Sequence, residues 1–440
     1  MATAFSIRRN WARLTYNGAR CQYQQDLDFL DQLRVITMSV ILMLHVFIGM
    51  AMFTAQNPLA MEQFSANLLS QMLFSLVPFQ VDLFFCISGL LLTVQFLQHT
   101  ENKRFRISIF WQGLLNRYLR SLPVYAVLML FTVSRYDTYQ TTPSAYKIMS
   151  KMRVICRRKW WINFLYINNY YQPEEHCLIH TWYLAADFQL GNEYQLWYDE
   201  YFVRTYQRTE THCCSYFFGM MAGFLYHKIT RKELSLPIAT FRNVFTLASI
   251  SIVGFALQAP LYNMMQFTKP SAWMAILSGV HKLSIGAFSA MSFLLLTFHD
   301  RQSLVRRWFR GNGLSRAMAR LGFGFYLVQM TVLKVVFGNY PEDTRINVQL
   351  IASTFCSTFI LSYAIALAAF IFIEKPFDVL FKLLLNLGKS RTAPVQPSVA
   401  KQANSVSVIS SVMGSNGVKQ KDSDGQTNRS DAQQGTDQVQ

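Results

Sequence analysis

The sequence predicts an all-α fold: a multi-pass transmembrane helical bundle of about eight spans, each near the roughly 20 apolar residues that cross a bilayer. Two of the three observations behind this prediction are compositional. Of the 440 residues, 52% are hydrophobic and only 15% are charged, whereas soluble globular chains carry about 25% charged residues. The third is arrangement, because the apolar residues come in long blocks rather than in alternating or helical-period patterns.

The net charge of +17 comes from Lys and Arg residues that lie mainly between the apolar blocks. Such charge is typical of cytosolic loops that follow the positive-inside rule, so we do not expect nucleic acid as a partner. We expect an integral membrane protein with cytosolic N- and C-termini, in the plasma membrane or the endoplasmic reticulum.

The spans follow a polar, basic segment at 1–30, predicted to be cytosolic. The first runs from about Val35 to Phe53 and the second from about Leu73 to Leu97. The third is short, from about Pro123 to Ser134, or begins near Tyr118. Later spans are predicted near 213–227, 241–259, 272 or 282 to 298, 319–337 and 348–373.

The membrane domain is predicted to cover 31–387, and the polar stretch 388–440 is predicted to be a disordered cytosolic tail. One junction does not fit this pattern. Residues 180–190, HTWYLAADFQL, begin like another span, but polar residues follow at once. So short a segment cannot cross a bilayer.

Arg34 and His45 are the sharpest candidates for a functional site. They lie eleven residues apart in the first apolar segment, which in a helix is roughly 16 Å along the axis and nearly the same face. An ionisable side chain inside a membrane is expensive and is usually functional. His45 is therefore either a general base or a packed histidine bonded to a neighbouring helix.

Arg117 and Arg120 form an RxxR pair, NRYLR, at the start of the third span, and residues three apart share a helix face. With Arg34 they form either a cluster suited to phosphate groups, since guanidinium binds phosphate in a bidentate manner, or an anchor to lipid headgroups. No metal-ligand cluster is found in the sequence.

Other ionisable residues are predicted to have supporting roles. Asp82 and Ser88 lie in VDLFFCISGLLL, where Asp82 is expected to orient a histidine or bond a backbone amide; Asp187 is similar. Glu374 is predicted to be a boundary residue, because Pro376 stops the last helix. The pair His281-Lys282 is expected to anchor at a membrane interface.

Cys156 and Cys177 flank an aromatic stretch of the long loop at 135–180. An oxidising lumen would permit a disulfide between them, which their spacing alone does not decide.

These segments, in this order, resemble the acyltransferase-3 family of multi-pass membrane proteins, and most closely its animal branch, the "nose resistant to fluoxetine" proteins. The similar segments are FLDQLRVITMSVILMLHV, with its arginine and histidine, VDLFFCISGLLL, NRYLRSLPVYA, WWINFLYINNYYQPEEHCLIHTWYLAADFQL, RAMARLGFGFYLVQ and FIEKPFDVLFKLLL. The resemblance covers about 6–387. It implies that an N-terminal domain and one transmembrane hairpin, near 190–191, are missing from this chain.

The resemblance implies transfer of an acyl group from acyl-CoA, or a similar donor, to a hydroxyl or amine of a lipid or small molecule. In that interpretation His45 is the general base, the three arginines bind the donor, and Asp82 and Ser88 support the site. Acyl-CoA is a co-substrate, and no bound cofactor is expected. The alternatives are a non-enzymatic carrier for the transport of lipids or small hydrophobic compounds, and an inactive truncated variant. The sequence leaves the oligomeric state open.

Overall fold

The computed structural model describes residues 2–16, 18, 21–52, 57–100, 107–171, 177–189, 209–235, 238–264, 272–298, 304–341 and 344–389. These residues form helices, turns and loops without a β-strand, which confirms the predicted all-α bundle. The described residues up to Lys382 belong to one compact unit, and those from Leu383 onward belong to a second. The predicted deletion near 190–191 and residues 390–440 of the tail predicted at 388–440 lie outside the described residues.

The helices within the described residues begin with α1 (Ile7–Thr15), α2 (Gln22–Asp26), α3 (Phe29–Met52), α4 (Pro58–Ala66), α5 (Leu68–Ser75), α6 (Val77–Thr100), α7 (Ile107–Arg135), α8 (Pro143–Phe164) and α9 (Trp182–Gln189). They continue with α10 (Thr209–Thr230), α11 (Ile238–Met264), α12 (Ala272–Phe298), α13 (Leu304–Trp308), α14 (Gly313–Phe337), α15 (Val348–Ala369) and α16 (Lys375–Lys389). Two 3₁₀ turns lie at Ala2–Phe5 and Ile179–Thr181, and a π-helical turn, Phe370–Glu374, joins α15 to α16.

Among the described residues, six helical stretches are long and apolar enough to cross a membrane: Phe29–Met50, Phe79–Gln98, Ile238–Leu257, Gly279–Phe298, Gly313–Phe337 and Val348–Leu383. The protein is thus an integral membrane protein by length and composition of its helices. The prediction of about eight spans also counted segments of α7 and α10, two helices that are long enough but carry more polar residues. The full number of spans stays a prediction.

Small residues bring α6 and α10 together. A Cβ atom added at Gly223 would lie 2.7 Å from the carbonyl oxygen of Leu90, and one at Gly219 would collide with the backbone of Cys86. Gly219 and Gly223 are four residues apart on α10, the GxxxG spacing that lets membrane helices approach closely. The apolar side chains around this contact include Phe85, Leu90 and Ala222, all fully buried.

A second apolar core lies where α3 packs against α14 and α15. Leu42 and Val46 of α3 contribute to it together with Phe325 and Phe337 of α14 and Ala366 of α15. Because α3 is fixed on this side, its other face is free to present Arg34 and His45 to a cavity described below.

Pro123, a predicted start of the third span, and Pro376, the predicted stop of the last helix, both lie within helices. Pro123 lies inside α7, so the third predicted span belongs to a 29-residue helix that begins at Ile107. Membrane helices tolerate proline where neighbouring groups satisfy the freed backbone. Pro376 is the second residue of α16, in the first turn, where the missing N–H costs little. The prediction that Pro376 stops the helix is therefore wrong.

Candidate functional site

A cavity of about 810 Å³ lies among α3, α6, α7, α9, α14, α15 and α16. We call it the main cavity. Its lining contains five of the residues that the sequence singles out: Arg34, His45, Ser88, Arg117 and Arg120. Three helices distant in sequence thus deliver one histidine, one serine and three arginines to the same space.

Helix α3 carries Arg34 and His45 into this cavity on one face. Arg34 is paired with Asp31, one turn earlier, with Nη1 3.5 Å from the carboxylate oxygen. His45 lines the cavity while its Nδ1 atom is buried without a hydrogen-bond partner among the described residues. Nε2 is therefore the ring nitrogen that meets the cavity. A ligand there gains a hydrogen-bonding group that no described residue occupies.

Helix α7 supplies the two other arginines. Arg117 donates a hydrogen bond from Nη2 to the hydroxyl oxygen of Ser88, at 3.2 Å. Arg120 lies 3.5 Å from the carboxylate of Glu374, and its own side chain is 58% exposed whereas that of Glu374 is 2% exposed. Glu374 is thus a buried partner of an arginine rather than a boundary residue, which corrects the prediction. The π-helical turn places it there.

The sequence reasoning did not single out His180, which lines the same cavity from the 3₁₀ turn before α9. Its Nε2 lies 3.0 Å from the backbone oxygen of Leu327. A carbonyl oxygen only accepts hydrogen bonds, so Nε2 carries the hydrogen and Nδ1 is the basic nitrogen of the neutral ring. Tyr326 donates its hydroxyl to the backbone oxygen of His180. Both contacts fix the position of this imidazole.

Lys334 is a further ionisable residue near the cavity that sequence reasoning missed. It is buried on α14, within electrostatic reach of His45 and His180, and its Nζ atom contacts the sulfur of Met152 at 3.4 Å. An ionisable residue within a span marks a functional candidate. The same criterion that selects His45 would have selected Lys334.

Asp82 faces away from the main cavity and forms a buried charged network. One carboxylate oxygen lies 2.7 Å from Nδ1 of His212 and the other 2.7 Å from Nζ of Lys282. His212 stacks against Phe85 and Trp182, with ring centroids 4.9 Å and 5.4 Å away. Since Trp182 lines the cavity, the network lies directly behind one cavity wall.

The structure corrects the anchoring role predicted for Lys282, whereas the interfacial position of His281 and Lys282 stays a prediction. His281 is buried and stacks on Phe255 with ring centroids 3.8 Å apart. Lys282 turns inward to Asp82 because the buried carboxylate needs a cation. Asp187 is part of α9, and its predicted role rests on a side chain that lies outside the described residues.

The segment after α7 is fixed by a disulfide and a polar network. Cys156 and Cys177 are joined, with Cα atoms 4.5 Å apart. Asn163 donates to the hydroxyl of Tyr125 at 2.8 Å and to Thr181 at 3.2 Å. These contacts hold the turn that carries His180 against α7.

Tyr166 lies in the same segment and closes the network. It adopts a left-handed backbone with φ of 55°, and its hydroxyl shares a 2.8 Å hydrogen bond with Ser121. Burial raises the pKa of Tyr166 to about 12, so the hydroxyl stays protonated at neutral pH.

Together, the apolar helices and the basic, histidine-bearing cavity define a membrane-embedded protein with an internal cavity. Residues 27–191 match the model of the acyltransferase-3 family, described as an acyltransferase domain. The resemblance predicted over about 6–387 is confirmed for 27–191, and this matched region contains all five predicted cavity residues.

Over 198 residues the chain is 29% identical to nose resistant to fluoxetine protein 6 of Caenorhabditis elegans. The alignment covers 42% of this chain and 23% of that relative. No solved structure matches the chain.

Proposed function

We propose that this protein is a membrane acyltransferase that moves an acyl group from acyl-CoA, or a similar thioester, to a hydroxyl or amine acceptor. The observation that carries the proposal is the main cavity. It holds His45 together with Arg34, Arg117 and Arg120, and all four lie within the region that matches an acyltransferase domain.

The arginines suit a phosphate-bearing donor. Guanidinium groups bind phosphate oxygens with paired, charge-assisted hydrogen bonds. The side chain of Arg120 is more than half exposed, and Arg117 is oriented by Ser88. The donor would therefore meet one preorganised cation and one accessible cation before its thioester approaches His45.

His45 would act on the acceptor as a general base. The lone pair of Nε2 takes the proton of the acceptor O–H or N–H as the acceptor atom attacks the thioester carbonyl carbon. The carbonyl π pair moves to oxygen and then re-forms the double bond while the C–S bond breaks. The leaving thiolate takes the proton from the imidazolium, so that an ester or amide and free CoA-SH leave and His45 is neutral again.

The proposed orientation places both termini in the cytosol, so that the arginines face cytosolic acyl-CoA in the plasma membrane or the endoplasmic reticulum. Membrane lipids would surround the bundle, and the acceptor is a lipid or another small molecule. Asp82 would support the cavity wall through His212 and Trp182 rather than contact substrate.

Reconstitution in liposomes tests the proposal. Purified full-length chain is supplied with radiolabelled acyl-CoA and, separately, with hydroxyl-bearing lipids or primary amines. Acceptor-dependent release of CoA-SH together with a labelled ester or amide is the expected result. Movement of acceptor across the vesicle membrane without donor consumption would contradict acyl transfer and support a lipid carrier.

A further inference from the structure

A second cavity, of about 490 Å³, lies beside the main cavity. We call it the basic cavity, because five of its lining side chains are Arg13, Arg120, Arg320, Lys375 and Lys382. We propose that the basic cavity binds a ligand that carries several phosphate groups. We assign this ligand as the nucleotide end of CoA, with its diphosphate and 3′-phosphate, an assignment that rests on the proposed function.

Charge is the first argument. Among the residues that line the basic cavity, only Asp378 is acidic. Five cations around one space repel one another, and the repulsion is relieved when an anion enters. One further carboxylate, Glu374, reaches Arg120 from the buried side at 3.5 Å. Cations still outnumber acids, so a multiply charged anion fits better than a neutral ligand.

Hydrogen bonds hold the wall formed by α1 in a fixed position. Asn10 is fully buried and donates hydrogen bonds of 3.0 Å to the backbone oxygens of Ala4 and Ile371. Arg320 donates to the backbone oxygens of Arg13 at 3.2 Å and of Tyr16 at 3.0 Å. A cation at the end of a helix is favourable. These bonds hold α1 against the bundle and place Arg13 at the cavity.

The opposite wall is one face of α16. Lys375, Asp378 and Lys382 recur at intervals that share a helix face. Asp378 lies 3.6 Å from Nζ of Lys375 and 2.9 Å from Nζ of Lys382. The carboxylate thus keeps two ammonium groups close together at the cavity while leaving each with donors for another anion.

The basic cavity is continuous with the main cavity. Arg120, Asp378 and Lys382 line both spaces, so one ligand can reach from one to the other. His45 lines the main cavity. A ligand with its phosphates in the basic cavity would therefore extend its remaining part into the space that His45 lines.

The test is a binding measurement on the full chain in detergent. The cavity variant is Arg13→Gln/Lys382→Gln, and the matched control is Arg307→Gln/Arg310→Gln, which removes two exposed cations that do not line either cavity. The probes are CoA, 3′-dephospho-CoA, pantetheine and a soluble short-chain phosphatidylinositol bisphosphate. Calorimetry gives each Kd, and thermal unfolding verifies that both variants are folded.

We expect the cavity variant to weaken CoA binding about tenfold or more, because two charge-assisted contacts are lost. The control should stay within about twofold, and pantetheine should bind both proteins alike. Asp378→Asn should tighten CoA binding, a gain that a misfolded protein would not show. Added salt should weaken wild-type binding more than binding by the cavity variant.

The probes separate the sources of phosphate. One outcome is that the cavity variant loses affinity for the lipid bisphosphate alone and binds CoA as the wild type does. That result would support a phosphate site in the basic cavity and would identify its occupant as a lipid headgroup. If the cavity variant binds both CoA and the lipid as tightly as the wild type, or the wild type binds neither, the inference is wrong. Cavity-dependent CoA binding without acyl transfer would refute the proposed function alone, and acyl transfer with an unchanged KM in the cavity variant would refute the inference alone.

Discussion

Replacing Asp82 by leucine is expected to destabilise the bundle strongly, because this carboxylate is the common partner of His212 and Lys282. The side chains of Asp82 and His212 are 0% exposed, and that of Lys282 is 15% exposed. Both contacts are 2.7 Å long. Removing one member of a buried ion pair leaves the other charge uncompensated and costs about 3–5 kcal/mol.

The double variant Asp82→Leu/Lys282→Met sharpens this expectation. It removes both charges together, and buried ion pairs replaced by apolar residues are often close to neutral in stability. His212 would still lose its hydrogen bond to Asp82, at a cost of about 1–3 kcal/mol. We therefore expect the double variant to be more stable than Asp82→Leu alone.

The assay is thermal unfolding of the purified protein in detergent, followed by labelling of the buried thiol of Cys86 as it becomes exposed. Lys147→Met serves as the control, since Lys147 is exposed in α8. An Asp82→Leu midpoint equal to that of the wild type would refute the reasoning. A double variant as unstable as the sum of the two single variants would show that the pair is not coupled.

Three other changes test separate parts of the structure. Gly219→Leu should separate α6 from α10 and lower the free energy of unfolding by about 1–3 kcal/mol or more, measured by thermal unfolding against Gly254→Leu, where no atom lies within 4 Å of an added Cβ. Cys156→Ala/Cys177→Ala opens a loop of 21 residues and should cost about 3 kcal/mol, a loss that a reductant should reproduce in the wild type. Ser88→Ala frees the neighbouring arginine from one hydrogen bond, worth about 1 kcal/mol, and should raise KM for acyl-CoA roughly fivefold; an unchanged KM would contradict donor binding there.

The fold class was predictable because it depends on local composition. Apolar blocks predict α3, α6 and α14 directly, since each must satisfy its backbone internally within a membrane. Helix ends were less predictable. Proline usually stops a helix, yet Pro123 and Pro376 lie within helices here, because neighbouring helices and a π-helical turn decide the outcome.

Part of the site was predictable for the same local reason. Arg34 and His45 share a helix, so their common face follows from helical geometry, and Arg117 and Arg120 are three residues apart. Both pairs line the main cavity. Their meeting across two helices was one of two interpretations of the sequence, the other being an anchor to lipid headgroups.

The remaining contacts depend on the tertiary fold. Asp82 meets partners 130 and 200 residues away in sequence, and no local pattern specifies which cation approaches a buried acid. Lys282 next to His281 looks like an interface pair in sequence, but the buried carboxylate draws it inward. The GMMAG segment of α10 did carry a readable signal for the α6–α10 contact, its GxxxG spacing.

The most direct test of the central claim is the single-turnover rate of acyl transfer by His45→Ala in liposomes, compared with wild type and with His227→Ala, a histidine that does not line the main cavity. Loss of a general base lowers rates by about 10²–10⁴-fold. We expect a loss of at least about 100-fold for His45→Ala with little change in CoA affinity, and no loss for His227→Ala. Acyl transfer by His45→Ala at the wild-type rate would contradict the assignment of His45 as the base.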